Sequence, residues 1–253
     1  LAARKAAGES MLNPVMYSDN NIIGSLNLIN ACVTNGIRSF IFSSTAAVYG
    51  DPQYIPIDEE HSLLPVNYYG YTKLVIEENL KWFCSLNKMN YASLRYFNAA
   101  GYDKKGRISS IENNPQNLIP LVMEAAIGMR PKVEIFGNDY ETKDGTGVRD
   151  YVHISDLAKA HLDAIIYIVN ENKNITVNLG TGKGYSVLEI INKVIEISGI
   201  NIHYSFEDRR IGDSDIIIAK SERAKNLIEW EGNNSDIDSL ISSTWNVYKS
   251  FFL

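Results

Sequence analysis

Cysteine is scarce in this sequence. Two occur in 253 residues, Cys32 and Cys84, with no Cys-x-x-Cys pair and no histidine at metal-ligand spacing. That pattern gives no disulfide framework, and both thiols are expected to be buried in a reducing compartment. No run approaches the ~20 apolar residues of a membrane span. The first residues also lack the charged-then-apolar order of a secretory signal, so the expected location is the cytoplasm, with no membrane partner. Positive charge is short as well: 24 Lys and Arg against 30 Asp and Glu leave a net charge of −6, which offers nucleic acid no basic field. His61, His153, His161 and His203 are scattered, and the acidic cluster Asp139, Glu141 and Asp144 lacks the register of a calcium loop. No metal is expected, and His153 reads as a packed or locally bonded ring. A Gly-x-Gly-x-x-Gly fingerprint is missing too. Gly180-Thr181-Gly182-Lys183-Gly184 has neither its spacing nor the acidic residue that should follow, so it reads as a strand-to-helix turn.

What is present is ample apolar content, 45% of residues, enough to fill the core of one large domain or two small ones. Ile22, Ile23, Leu26, Ile29, Cys32 and Val33 recur at helical spacing over 20–35, and Gly36 stands where a left-handed cap belongs. Strand 39–43, helix 69–84 and strand 92–97 follow, the rhythm of a parallel sheet with crossover helices. Helix 118–128 and strand 132–136 lead into a Gly-rich loop over 137–147, a usual place for ligand contacts. Helix 155–169, strand 175–179 and a helix opened by the Ser186/Glu189 capping box and closed at Gly199 continue the pattern. Strands 202–206 and 216–219 and a terminal amphipathic helix over 236–248 complete it. The class is α/β, a doubly wound parallel sheet of Rossmann type. No linker separates a second domain, so a smaller α/β domain must interleave with the first.

The strongest local signal is Tyr69-Gly70-Tyr71-Thr72-Lys73. Residues four apart share a helix face, so the phenol of Tyr69 and the ammonium of Lys73 can point into one cleft. A cation at about 4 Å, with an effective dielectric of ~20, contributes ~4 kcal/mol and could bring a phenol down by about three from its usual ~10, into the working range of a general base. The same spacing also occurs on solvated helix faces. Its partner is Ser43-Ser44-Thr45-Ala46-Ala47-Val48-Tyr49-Gly50, at the carboxyl end of a buried strand where open sheets bind ligands. A Thr45 hydroxyl there could fix the oxygen whose proton Tyr69 removes. Alternatively, these hydroxyls bond their own backbone in a Ser/Thr turn.

Together these segments resemble the Ser/Thr-Tyr-Lys set of short-chain dehydrogenases. The resemblance extends through Leu94-Arg95-Tyr96-Phe97-Asn98, Ile135-Phe136-Gly137-Asn138-Asp139-Tyr140, the stretch from Asp144 to His153 and Asn178-Leu179-Gly180-Thr181-Gly182. These look like the successive signatures of the UDP-glucose 4-epimerase family, extended members of that group. The resemblance implies NAD as cofactor, with UDP-glucose and UDP-galactose as substrates and a homodimer as the assembly. It makes Thr45, Tyr69 and Lys73 catalytic, and places Lys5, Asn20, Ser43, Tyr69, Lys73 and Tyr96 at the NAD site. Thr45, Asn98, Asn117, Leu118, Phe136, Arg149, Tyr151, Arg210 and Asp213 match positions that hold the UDP-sugar.

Those residue types suit the ligand. Arg149 and Arg210 offer forked guanidiniums to a pyrophosphate, Phe136 a flat wall to uracil and Asp213 an acceptor to ribose hydroxyls. Read without the family, Arg149 could equally pair with Asp150, and Arg210 could be a solvated charge. Nucleotide-sugar 4,6-dehydratases share much of this pattern but carry an Asp-Glu pair after the Thr. Ala46 and Ala47 stand there instead and cannot move a proton. Ile217 falls where related epimerases vary a residue beside the sugar's 2-substituent. By the same resemblance, residues 1–98 are the remainder of an NAD-binding domain that begins after its first βαβ units. Residues 99–253 are mostly the UDP-sugar domain, with segments near 133–179 returning to the first sheet. A shortened, non-catalytic nucleotide-sugar-binding protein is the alternative.

Overall fold

The computed structural model of the chain describes residues 3–87, 89–210 and 212–251. Its elements, numbered in chain order, open with helices α1 (Ala7–Leu12) and α2 (Pro14–Tyr17), a π-helical turn (Ser18–Ile23) and α3 (Gly24–Thr34). Then come β1 (Ser39–Thr45), a 3-10 turn (Ala46–Val48), α4 (Tyr68–Asn87), β2 (Asn90–Tyr96), β3 (Asn98–Ala100), α5 (Leu118–Ala126) and β4 (Val133–Phe136). The remainder is β5 (Val148–His153), α6 (Ile154–Glu171), β6 (Ile175–Leu179), β7 (Gly184–Ser186), α7 (Val187–Ser198), β8 (Tyr204–Glu207), β9 (Ile216–Ile217), α8 (Glu222–Ile228) and α9 (Ile237–Tyr248). The expected α/β class is what the structure shows, and among the described residues no helix is long and apolar enough to cross a membrane.

The chain forms two interleaved compact units. The first comprises Leu1–Phe97, Lys159–Leu179 and Lys220–Trp230; the second comprises Asn98–Ala158, Gly180–Ala219 and Glu231–Leu253.

In the first unit β1, β2 and β6 make a parallel sheet in that order, with Thr45 opposite Tyr96 and Tyr96 opposite Leu179 at its carboxyl end. Parallel neighbours need a crossover, and α4 supplies it between β1 and β2. The helix buries Ile76, Leu80 and Cys84, one face at helical spacing, against Ile29, Phe42 and Tyr91. Each such side chain removed from water contributes ~1.5–3 kcal/mol. Cys84 is buried as expected. Cys32 is only half-buried, because it lies on the flank of α3, packed beside this core rather than within it.

In the second unit α5, α7 and α9 pack around Ile119, Val122, Met123, Ile190, Ile191, Val194, Leu240 and Ile241, with Val133 and Ile135 of β4 beneath. Strand β4 pairs with β8, and β5 pairs in parallel with β3 and β9 and antiparallel with β7. Ser186 and Glu189 form the expected capping box of α7, which closes at Gly199 with φ +71°. Strand β5 falls in a stretch the apolar pattern left unassigned. The strand expected over 216–219 shortens to Ile216–Ile217, because Ala219 instead gives its backbone N–H to the Asp150 carboxylate.

Candidate active site

Helix α4 begins where the 3-10 turn after β1 lies against it. A Cβ at Gly70 would meet the Ala47 carbonyl oxygen at 2.3 Å, so only glycine lets the first turn of the helix approach this closely. That approach brings the Tyr69 phenol beside the Thr45 hydroxyl, near enough for the hydroxyl to favour the ionised phenol. Thr45 also accepts the Ala47 N–H at 3.2 Å, so the Ser/Thr turn and the side-chain contact coexist. The Tyr69 backbone N–H donates to Ser10 Oγ at 2.9 Å, tying the start of α4 to α1.

Lys73 is buried, with Nζ donating to the Ser43 carbonyl at 2.9 Å. It stands 4.9 Å from the centroid of the Phe42 ring and 5.9 Å from that of Tyr69. Burial lowers its ammonium to about 8, opposed by the charge of Glu77. Burial also raises the Tyr69 phenol to about 12, Tyr96 adding to the rise and the Thr45 hydroxyl acting the other way. The sequence led to the opposite expectation, a phenol drawn down by Lys73. The reason for the difference is geometric: the ammonium is turned to a backbone carbonyl, and desolvation of the phenol outweighs a cation held beside its ring.

Ser43 and Tyr96 close the same end of the sheet. Ser43 Oγ lies 3.0 Å from His161 Nε2 and beside the Tyr96 phenol, which burial raises and the Ser43 hydroxyl lowers. Asn20 lies on the π-helical turn and lines a cavity of about 710 Å³ with Arg4, Asp19 and residues 12–16. Its amide donates to Asn21 Oδ1 at 2.9 Å, and buried Asn21 in turn donates to Thr72 Oγ1 of α4 at 3.2 Å. Lys5 is exposed on the segment before α1.

The remaining candidates lie in the second unit. Asn98 donates to the Asp150 carbonyl at 3.1 Å, and Tyr151, opposite it in the β3–β5 register, is buried. Asn117 precedes α5 without using its side chain to cap it, and Leu118 packs against the core from the first helical position. Arg149 pairs with Asp213 at 3.2 Å rather than with its neighbour Asp150. Asp150 is instead wholly buried, accepting from the Thr181 N–H and hydroxyl and from the Gly182 and Ala219 N–H groups. Arg210, exposed, lies 3.8 Å above the Phe136 ring, a cation–π contact and not a free solvated charge. His153 is indeed packed: Nδ1 accepts the Ser155 N–H and Nε2 lies 3.1 Å from Ser243 Oγ.

Residues 1–180 match the model of the NAD dependent epimerase/dehydratase family. The chain belongs to that family. Two epimerase/dehydratase relatives are 40–41% identical to it. The UDP-glucose 4-epimerase of Halalkalibacterium halodurans is 40% identical over 98% of this chain and 74% of its own length. That of Bacillus subtilis is 41% identical over 98% of this chain and 76% of its own. Among solved structures, the UDP-glucose 4-epimerase from Brucella ovis in complex with NAD superimposes with a TM-score of 0.95 at 37% identity, covering 98% of this chain and 76% of that one. The enzyme from Bifidobacterium longum in complex with NAD+ and UDP gives 0.90 at 36%, covering 99% and 75%.

Within this family member, reading the sequence left several polar residues without a role. Glu77 binds Ser44 and Arg95, Arg95 reaches Tyr49, and Tyr49 donates to Asn178 at 2.6 Å. Glu77 alone left a usable signal, since it stands four residues beyond Lys73 and therefore on the same helix face. The others meet only through the sheet.

Proposed function

We propose that this chain interconverts UDP-glucose and UDP-galactose, using NAD, by oxidation and reduction at carbon 4 of the sugar. One observation carries this reading: the Tyr69 phenol is buried beside the Thr45 hydroxyl, with the Lys73 ammonium anchored one helical turn away. Both named UDP-glucose 4-epimerases above lie at about 40% identity and support it.

The residues at the carboxyl end of the first sheet suit the cofactor. Lys73, Ser43, Tyr69 and Tyr96 offer an ammonium and hydroxyls of the kind that hold a ribose and a carboxamide, and Asn20 and Lys5 extend the set. When bound, NAD supplies the acceptor and donor of hydride and a cationic ring. Thr45 holds the sugar's 4-oxygen, and Tyr69 takes its proton and later returns one. In the resting protein the phenol, at about 12, is protonated and set to donate. Lowering it for the forward step falls to neighbouring cations such as Lys73. A 4-keto sugar results, and the same residues reprotonate its oxygen after the sugar has turned. That turn requires a firm hold on the nucleotide and a loose one on the hexose. Arg149 and Arg210 serve the pyrophosphate, Phe136 the base and Asp213 the ribose, with Asn98, Asn117, Leu118 and Tyr151 completing the hold. Elimination has no base here, since Ala46 and Ala47 form the turn after Thr45.

We place the chain in the cytoplasm and take the assembly to be a homodimer. Exposed Trp82 and Leu86, one turn apart on α4, are the kind of surface a second copy covers. The test is conversion of UDP-galactose by the purified chain with NAD supplied. Turnover lost on Tyr69→Phe supports the reading. Tight UDP binding by the wild type with no turnover at any NAD concentration supports a nucleotide-sugar binder instead.

A further inference from the structure

A buried ion pair lies directly behind the acid–base set, and nothing in the mechanism above uses it. Glu77 and Arg95 have side chains 2% and 5% exposed and meet through three contacts, Arg95 Nε to Oε1 at 2.9 Å and to Oε2 at 3.2 Å, and Nη2 to Oε2 at 2.5 Å. Glu77 Oε1 also accepts the Ser44 hydroxyl at 2.5 Å. A carboxylate buried this deeply is costly unless every lone pair is engaged, and here one carboxylate joins three elements. Ser44 stands between Ser43, whose carbonyl receives Lys73, and Thr45, which meets Tyr69. Arg95 precedes Tyr96 on β2. Glu77 is on α4, four residues beyond Lys73. The two elements that carry the proposed catalytic residues, β1 and α4, are thus tied to each other and to the strand of Tyr96 at positions adjacent to those residues, or one turn from them.

A plain structural tie could sit anywhere along these elements. This one sits where a small rotation of α4 would withdraw Lys73 from Ser43 and Tyr69 from Thr45. We propose that Glu77, clamped between Ser44 and Arg95, is a positioning residue that fixes how helix α4 presents Tyr69 and Lys73 to the reacting sugar. The inference rests on the acid–base reading given above. The groups facing Lys73 are Glu77 and Tyr69 on its own helix and Phe42 and the Ser43 carbonyl on β1, while Arg95 on β2 reaches it through Glu77. Tyr96 and, from α6, His161 reach it through Ser43. Of these, Glu77 is the anion whose charge opposes the effect of burial on the amine.

The experiment reads Lys73 itself in the full chain, with neither NAD nor substrate. The chain is labelled with carbon-13 at lysine Cε, the Lys73 signal is assigned by its loss in Lys73→Arg, and its titration is followed in wild type, Glu77→Gln and Glu77→Asp. Glu77→Gln keeps the shape of the clamp but not its charge. The Lys73 midpoint is expected to fall by roughly half to one pH unit, and Glu77→Asp to return it toward the wild-type value. With NAD and UDP-galactose, Glu77→Gln lowers kcat by about tenfold and changes KM by less than about twofold. An unchanged midpoint in Glu77→Gln, even with a lower melting temperature, overturns the proposal and leaves only a structural pair. Should Glu77→Gln fail to fold, Ser44→Ala decides. It spares the ion pair and removes only the tie to β1, so the Lys73 signal moves if the clamp positions the amine, and a signal superimposable on the wild type overturns the idea. A wild type without turnover counts against the proposed function, while the midpoint still judges the clamp.

Discussion

The two units hold their candidate residues in opposite ways. In the first, the reactive side chains are fixed by the frame: Lys73 by a backbone carbonyl, Tyr69 by burial beside Thr45, and the helix beneath them by Glu77, which is ion-paired to Arg95 on one strand and accepts the Ser44 hydroxyl from another. In the second, the candidate nucleotide contacts engage one another, Arg149 with Asp213 and Arg210 with Phe136, and several are exposed. A group that must move a proton gains from being held before the substrate arrives. A group that must grip and release a nucleotide can be paired meanwhile, provided that the pairing is weak and wet. Changes in the first unit should therefore appear in kcat, and changes in the second in KM.

The largest effect is expected at Tyr69. Tyr69→Phe leaves the ring and removes the proton carrier, and kcat for UDP-galactose should fall by ~10²–10⁴ with KM nearly constant. A KM effect of that size with kcat preserved would undo the contrast between the units.

Next comes the cost of burying Lys73. Its ammonium stands at about 8 in the folded chain against an ordinary 10.5. Between those values the unfolded chain holds a proton that the folded chain has released, so this group makes stability rise with pH from about 8 to 10.5. Below that window the full penalty, about 3 kcal/mol, is present. Tyr69, raised from 10.0 to about 12, acts in the opposite sense but only above 10. Urea unfolding of wild type and Lys73→Met between pH 7 and 10 should show the wild-type rise and a flatter curve in the variant. Parallel curves would mean that Lys73 is not desolvated as the fold implies.

The same contrast explains what the sequence made legible. Local periodicity exposed the first unit's set, since Tyr69 and Lys73 share a helix face by spacing alone, and the hydroxyls of 43–45 end a recognisable strand. Partnerships made through the fold did not show. The Ser43 carbonyl is a backbone atom and has no residue signature. Arg149 sits beside Asp150, yet takes Asp213, 64 positions away, because Asp150 faces inward to the loop at Thr181 and Gly182. Strand β5 escaped notice for a related reason. Its Arg and Asp interrupt the apolar run, and its pairing partners β3, β7 and β9 come from three distant segments. The lowered phenol was misjudged because spacing gives the distance of a charge but not the desolvation that competes with it.

In the second unit, Arg149→Ala should weaken UDP binding by about 10–100-fold, the worth of one or two charge-assisted hydrogen bonds, at ~1.5–3 kcal/mol. Titration calorimetry with UDP reads this directly, and kcat should change little. The partner swap from Asp213 to a phosphate adds a further mark. Asp213→Asn removes the ion pair from Arg149 in the resting chain while keeping an acceptor for a ribose hydroxyl, so it should lose less affinity than Arg149→Ala. Equal losses would show that the resting pair matters less than the ribose contact.

The smallest effect tests how far positioning reaches within the second unit. Ser186 caps α7 through the Glu189 N–H at 3.0 Å and also donates to Asp144, whose other oxygen holds the Thr146 N–H and hydroxyl. That turn delivers the chain into β5 three residues before Arg149. Ser186→Ala should cost ~1 kcal/mol for the lost cap, read as a lower melting temperature. If the second unit's contacts adapt as their mutual pairing implies, UDP affinity should change by less than about threefold, since ~0.6 kcal/mol in the bound state is all that such a factor requires. A larger loss of affinity would mean that Arg149 is held as strictly as Lys73, and that the two units differ in exposure but not in preorganisation.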